Sequence, residues 1–263
     1  MRINNNITAI NSHRQYGINN SQIGKNVEKL SSGFRVNRAG DDAAGLAISE
    51  KMRTQIRGLN MASKNSQDGV SLVQTAEGAM QTAHNIMQRM RELAVQSRNG
   101  TNDDPVDRKA LDLEFSQLDA ELSQISSTVK FNDMTVFASS FTLQTGANSA
   151  DTTTFSIGSL GSTNLGVATE TAAAAAIDAM TTHINDLSTN RATLGAIQNR
   201  LEFKIQNLDN SAENLQAAES RIRDVDMAKM MTEFTKNNIL FQASTAMLAQ
   251  ANAIPQSVLQ LVG

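Results

Sequence analysis

The 263-residue chain contains no cysteine and no tryptophan, one tyrosine and two prolines. Without cysteine, disulfide frameworks, thiolate nucleophiles and thiolate metal sites are all excluded. Aromatic residues make up only 4% of a chain that is 40% hydrophobic. A core must therefore be built from Leu, Ile, Met and Ala, which suits helix seams better than a sheet sandwich. Twenty-three Lys and Arg against 26 Asp and Glu leave a net charge of −3, with no basic face of the kind nucleic-acid binding requires. The start, Met1-Arg2-Ile3-Asn4-Asn5-Asn6, lacks the apolar run of a secretory signal peptide. No charge-free, strongly apolar window is long enough for a membrane span. These absences predict a cytoplasmic protein, or one exported by a route that reads no cleaved signal.

What is present is heptad periodicity. From Ile177 to Ile222, steps of three and four read Ile177, Met180, Ile184, Leu187, Arg191, Leu194, Gln198, Leu201, Ile205, Leu208, Ala212, Leu215, Glu219, Ile222, so eleven of fourteen slots are apolar. Gly195 is the one helix breaker inside the stretch. The pattern predicts a rod roughly 70 Å long at about 1.5 Å per residue. Such a rod cannot bury its seam alone.

The rest of the chain supplies partners. Ile3, Ile7, Ile10, Ile23, Val27, Leu30 and Phe34 recur at helical spacing, with a phase slip near Tyr16 and Gly17 and much intervening Asn. That helix is weak by propensity and needs a partner. Ser31 to Leu46 reads as a loop ending with Asp41 or Asp42 capping a new helix. This helix runs to about Arg98 and carries two adjacent stripes, which predict two packing partners. One stripe is Met52, Ile56, Leu59, Val70, Val73, Met80 and Met87; the other is Leu72, Ala76, Ala79, Ala83, Ile86, Met90 and Leu93. Asn99 to Pro105 is a turn, with Asp104 as cap and Pro105 opening a helix, whose seam is Leu111, Phe115, Leu118, Leu122, Ile125 and Val129. Between Phe131 and Thr171 the pattern turns to Phe, Ile and Leu among Ser, Thr and Gly, which predicts a hairpin or two. The Ser/Thr-rich run between Ser139 and Thr171 reads as a linker, a site of surface modification, or short strands with no further purpose.

The last helical stretch follows Arg223-Asp224-Val225-Asp226, and from Asn237 to Gly263 it holds no charged residue. A long uncharged helix is a candidate for burial inside an assembly, and the chain's first helix has nearly the same character. His13, His84 and His183 lie on separate segments without a carboxylate pattern, and the adjacent acids stand at helix boundaries, where they cap. No nucleophile elbow, zinc motif, phosphate loop or nucleotide fingerprint is present. No enzyme activity, cofactor or metal is expected.

These residues resemble bacterial flagellin. At the front, Ile3-Asn4-Asn5-Asn6, Leu30-Ser31-Ser32-Gly33-Phe34-Arg35-Val36-Asn37 and Ala39-Gly40-Asp41-Asp42-Ala43-Ala44-Gly45-Leu46 carry the likeness, continued by Met90-Arg91-Glu92-Leu93-Ala94-Val95-Gln96-Ser97 and Phe131-Asn132. At the back, Ala218-Glu219-Ser220-Arg221-Ile222-Arg223-Asp224-Val225-Asp226 and Gln250-Ala251-Asn252 do the same.

The resemblance implies a mainly α fold with paired N- and C-terminal helices and a coiled-coil-like rod bearing a small β-hairpin region. Residues 1–40 with 226–263 would be the inner domain, and 41–225 the rod, including the hairpin region 131–171. It implies an extracellular subunit of the flagellar filament that forms a helical homopolymer, exported unfolded through the flagellar secretion apparatus. Its implied partners are an export chaperone on the C-terminal helix, a cap protein, hook-associated junction proteins and an innate immune receptor. The polymerisation core is expected at Ile3, Ile7, Ile10, Val27, Leu30, Phe34, Met231, Phe234, Phe241 and Leu248. The family's contact motif for toll-like receptor 5 maps onto Gln88, Arg89, Leu93 and Glu114. The short middle implies a thin, smooth filament without outer domains. A hook-filament junction protein would share the terminal heptads and is the alternative. Free in solution, residues 1 to about 40 and 226–263 are expected to lack partners enough to offset ordering entropy of about 1–2 kcal/mol per residue and to be largely disordered.

Overall fold

A computed structural model describes residues 6–102, 106–161 and 164–262, with side chains through 253. The expectations for Ile3 and for the Asp104-Pro105 helix start lie outside the described residues. Along the chain run α1 (Ile7–Ser32), α2 (Ala43–Ser97), α3 (Asp107–Thr128), β1 (Lys130–Phe131), β2 (Met134–Thr135), β3 (Ser139–Gln144), β4 (Thr152–Ile157), α4 (Glu170–Arg223) and α5 (Met227–Val262). The fold is mainly α with small antiparallel strand pairs. The chain divides into two compact units, 1–54 with 214–263 and 55–213. Both α2 and α4 contribute a stretch to each.

In the first unit α1 and α5 pair antiparallel. Asn6 Nδ2 donates to the Ala251 carbonyl at 2.7 Å, Tyr16 and Phe241 rings meet at 4.8 Å, and Asn19 Nδ2 donates to Ser244 Oγ at 2.9 Å. The phase slip at Tyr16-Gly17 does not interrupt α1, because one partner helix satisfies both halves. Asn6 caps its start, accepting from the Ala9 amide at 3.1 Å, and Gly33 ends it at φ 73°, a left-handed conformation that suits glycine.

Of the paired acids, Asp42 is the cap of α2, its Oδ1 accepting from the Gly45 amide at 2.8 Å. A Cβ at Gly45 would fall 2.4 Å from the other carboxylate oxygen, so the cap requires glycine there. Asp41 instead closes the preceding turn by accepting from the Asn37 and Arg38 amides. Asp226 caps α5 through the Lys229 amide at 3.1 Å. Asp42 and Asp226 cap as the sequence predicts, Asp41 does not, and Asp103 lies with Asp104 outside the described residues.

The loop after α1 and the link before α5 are clasped. Phe34 and Asp224 form an antiparallel bridge, flanked by Arg35 N–H to the Arg223 carbonyl at 2.7 Å and Val225 N–H to the Gly33 carbonyl at 3.0 Å. The Arg223 guanidinium lies 4.8 Å above the Phe34 ring and bonds Glu50 at 2.5 Å. That hydrogen bond holds the Glu50 carboxyl below its usual range. A carboxylate with a depressed folded pKa adds stability that is complete above its unfolded value, here 4.5, and fades as pH falls through the folded one. The clasp is therefore expected to hold at neutral pH and weaken in acid. Thermal melts between pH 7 and 3 should fall less steeply for Glu50→Gln than for the parent chain, and superimposable profiles would contradict the clasp. Asp41 titrates with the same sign, so part of the slope remains in the variant.

The second unit holds the core. Ala173, Met180, Leu187, Leu194, Leu201 and Leu208 of α4 recur every seven residues and are all buried. The alternate heptad slots Ile177, Ile184 and Ile205 are only half-buried. The seam is thus lopsided, and the two of its three polar slots that fall in this unit lie at the edge: Arg191 reaches Glu77 of α2 at 3.6 Å, and Gln198 bonds Glu202 of its own helix. Both stripes of α2 feed one cluster with Phe115 and Leu122 of α3, Phe155 and Ile157 of β4, and α4, so α2 meets more than one partner, three elements where the sequence predicts two. Stripe members nearer the start of α2, Met52, Ile56, Leu59 and Val70, are half-buried.

Helix α3 begins at Asp107 with Val106 at the cap and no side-chain cap bond. Buried Arg108 ties it to the end of α2, donating to the Ser97 carbonyl at 2.8 Å. The middle forms two hairpins, β1 with β2 and β3 with β4. Asn132 and Asp133, at φ 48° and 62°, make the two-residue turn of the first. In the second, Phe141 pairs with Phe155, and Thr153, Phe155 and Ile157 alternate inward. This hairpin lies close against α2: a Cβ on Gly69 would stand 2.3 Å from Leu143, and one on Gly58 2.9 Å from Ala147. Asn65 Nδ2 fixes the register by donating to the Gln144 carbonyl at 3.1 Å.

Candidate assembly surface

The α1–α5 pair has almost no interior of its own. Asn26 is the one buried residue of α1, and Ala251 the one buried residue among the described side chains of α5. Apolar side chains instead stand in the open: Ile7, Ile10 (62% exposed) and Val27 on α1, and Met231, Ile239 (61%) and Met247 (64%) on α5. Soluble chains scatter single apolar residues over their surface, but a run of them on helices this poor in charge marks an interaction face.

Among the expected polymerisation residues, Ile7, Ile10, Val27 and Met231 are exposed, whereas Leu30, Phe34, Phe234, Phe241 and Leu248 are half-buried. Phe241 spends one face on Tyr16 of the same chain, so it belongs partly to the intrachain pair. Ile18, Ile239, Leu240 and Met247 are exposed apolar residues that heptad stepping misses. The signal that finds them is apolar character out of phase with the partner-facing stripe.

The four residues matching the receptor motif do not form one surface. Arg89 donates through Nε and Nη2 to Glu114 Oε1 at 3.0 and 2.9 Å, and through Nη1 to Glu92 at 3.3 Å. The bond to Glu114 raises the Arg89 pKa further above its ordinary value. Gln88 is exposed with its Nε2 2.9 Å from His84 Nε2. Leu93, in contrast, is 0% exposed within the core. The expectation of direct contact at Leu93 is corrected: Leu93 belongs to the buried cluster that also holds Phe115, so it is not open on the surface that carries Gln88 and Arg89.

Among the described residues no group of three or more His, Asp or Glu is placed to hold a metal ion, and no helix is long and apolar enough to cross a membrane. Two terminal helices poor in charge, α5 carrying none after Lys236, with outward apolar faces and borne by a chain whose other unit has a filled core, define a self-assembling structural subunit. The pattern of the bacterial flagellin N-terminal helical region matches residues 3–142, and that of the C-terminal helical region matches 177–262. The chain is 57% identical to a flagellin of Halalkalibacterium halodurans and 49% identical to one of Bacillus subtilis, each alignment covering the whole of both chains. The crystal structure of Bacillus cereus flagellin is similar with a TM-score of 0.51 at 31% identity, over 59% of this chain and 94% of that one. The chain belongs to the flagellin family, and it is a structural subunit that polymerises into the flagellar filament.

Proposed function

We propose that polymerisation completes the α1–α5 pair, neighbouring copies burying the apolar faces that one chain leaves open. In this reading residues 1–40 with 226–263 are the assembly domain and 41–225 the rod, with 131–171 as its hairpin region. The observation that carries it is the contrast between a filled core in 55–213 and a terminal pair almost without one. A head-to-tail contact whose rotation does not close gives a helical filament rather than a ring. Deleting 1–40 or 226–263 is expected to leave a soluble, helical chain that forms no filament in electron micrographs after salt-induced assembly. A truncated chain that still polymerised would refute the reading.

The same reading places the filament outside the cell, thin and smooth because only short hairpins occupy the middle of the chain. An export chaperone would cover the C-terminal helix, uncharged from Asn237 on, before assembly, and cap and junction proteins would meet the same terminal faces at the filament ends. Binding to toll-like receptor 5 is supported by the exposed Gln88, Arg89 and Glu114, whose ion pair fixes a charged ledge across α2 and α3. Glu114→Ala frees Arg89 from its principal partner and is expected to weaken capture of the unassembled chain by the receptor ectodomain at least about tenfold, the scale of roughly 1.4 kcal/mol. Unchanged capture would remove the ledge from the contact.

A further inference from the structure

The described methionines range from sealed to open, with Met52 and Met230 half-buried between the extremes. Met80, Met87, Met90 and Met180 are sealed in the core of 55–213. Met227, Met231 and Met247 stand exposed on α5, Met247 the most of the three. The chain has no cysteine, so its thioethers are the sulfur atoms an oxidant can meet, and these three sit on the helix assigned above to contacts between copies.

We propose that Met227, Met231 and Met247 are modification sites at which hydrogen peroxide arrests polymerisation. A lone pair on the thioether sulfur attacks one peroxide oxygen; the S–O bond forms as the O–O bond breaks. The proton on the transferred oxygen passes to the departing hydroxide, which leaves as water. Sulfur is oxidised by two electrons and the peroxide reduced by two. The sulfoxide is polar and chiral, with a strong acceptor oxygen and no donor. On the open helix water satisfies that oxygen. Against an apolar face of another copy it has no partner, and an unmet buried acceptor opposes the contact.

The device has a direction. An unassembled subunit offers all three sulfurs, whereas a subunit already in the filament has them covered, so oxidised chains are refused while existing filament is spared. Methionine sulfoxide reductase reverses the change. This inference rests on the assembly reading above.

The test treats unassembled chain and preformed filament with hydrogen peroxide, maps sulfoxide at each methionine by peptide mass spectrometry, and measures pelletable filament after salt-induced assembly. Met61 and Met134, exposed on the other unit, serve as internal controls for reagent access. The unassembled chain is expected to oxidise at the three sites and to need at least about tenfold more protein to form filament, a defect that reductase treatment reverses. The triple variant Met227→Leu, Met231→Leu, Met247→Leu should assemble normally and ignore peroxide. Oxidised parent chain that assembles at the usual concentration, or a triple variant arrested as fully as the parent, would overturn the proposal. Met247→Glu separates the two layers. If it blocks growth while sulfoxide does not, only the oxidation device fails; if it too assembles normally, the burial of this face fails with it.

Discussion

Replacing Ile239 by glutamate is expected to raise the protein concentration needed for filament growth by about 100- to 4,000-fold while leaving the isolated chain helical. Ile239 is 61% exposed on α5, so in the single chain the carboxylate stays hydrated and removes little packing. In the polymer the same position is proposed to meet another copy, where a buried unpaired charge costs about 3–5 kcal/mol. At roughly 1.4 kcal/mol per factor of ten, this gives the stated range. Sedimentation after salt-induced assembly reads the effect, and circular dichroism checks the unassembled chain. The comparison with Phe241→Glu sharpens it. Phe241 touches Tyr16 within its own chain, so that variant is expected to loosen the α1–α5 pair as well as prevent growth. Filaments from Ile239→Glu at the parent concentration would place this face on the filament's solvent side.

Much of the fold was legible because long helices announce themselves. The rod predicted over Ile177–Ile222 is α4, Glu170–Arg223, extended at its start by the run Ala172 to Ala176, which favours helix without marking a heptad. Asp42 and Asp226 were readable as caps because a carboxylate ahead of a periodic stretch satisfies open helix amides. The middle was readable as hairpins through its switch from a period of three and four to one of two.

Other features depend on three-dimensional phase. Heptad stepping treats the two apolar slots as equals, yet α4 buries the series Met180, Leu187, Leu194, Leu201 and leaves Ile177, Ile184 and Ile205 at the margin. Nothing in one segment's spacing says which half-slot faces the partner. Leu93 shows the same limit from the other side. Its neighbours Gln88 and Arg89 are exposed, and one step around α2 carries Leu93 into the core. The clasp of Phe34, Glu50 and Arg223 joins residues far apart in sequence, and a composition of ordinary loop and helix residues gives no local sign of it. The outward apolar residues Ile239 and Met247 are invisible to a search for one seam, since a second face appears only after the first partner has been placed.

The measurement that bears most directly on seam completion between copies is amide hydrogen exchange on one preparation, before and after salt-induced assembly. With little interior of their own, 7–32 and 227–262 are expected to exchange fast in the isolated chain and to gain at least about 100-fold protection in the filament. Residues 72–94 of α2, already facing a filled core, should be protected alike in both. Terminal helices as protected in the single chain as that core, and unchanged on assembly, would contradict the claim that other copies complete them.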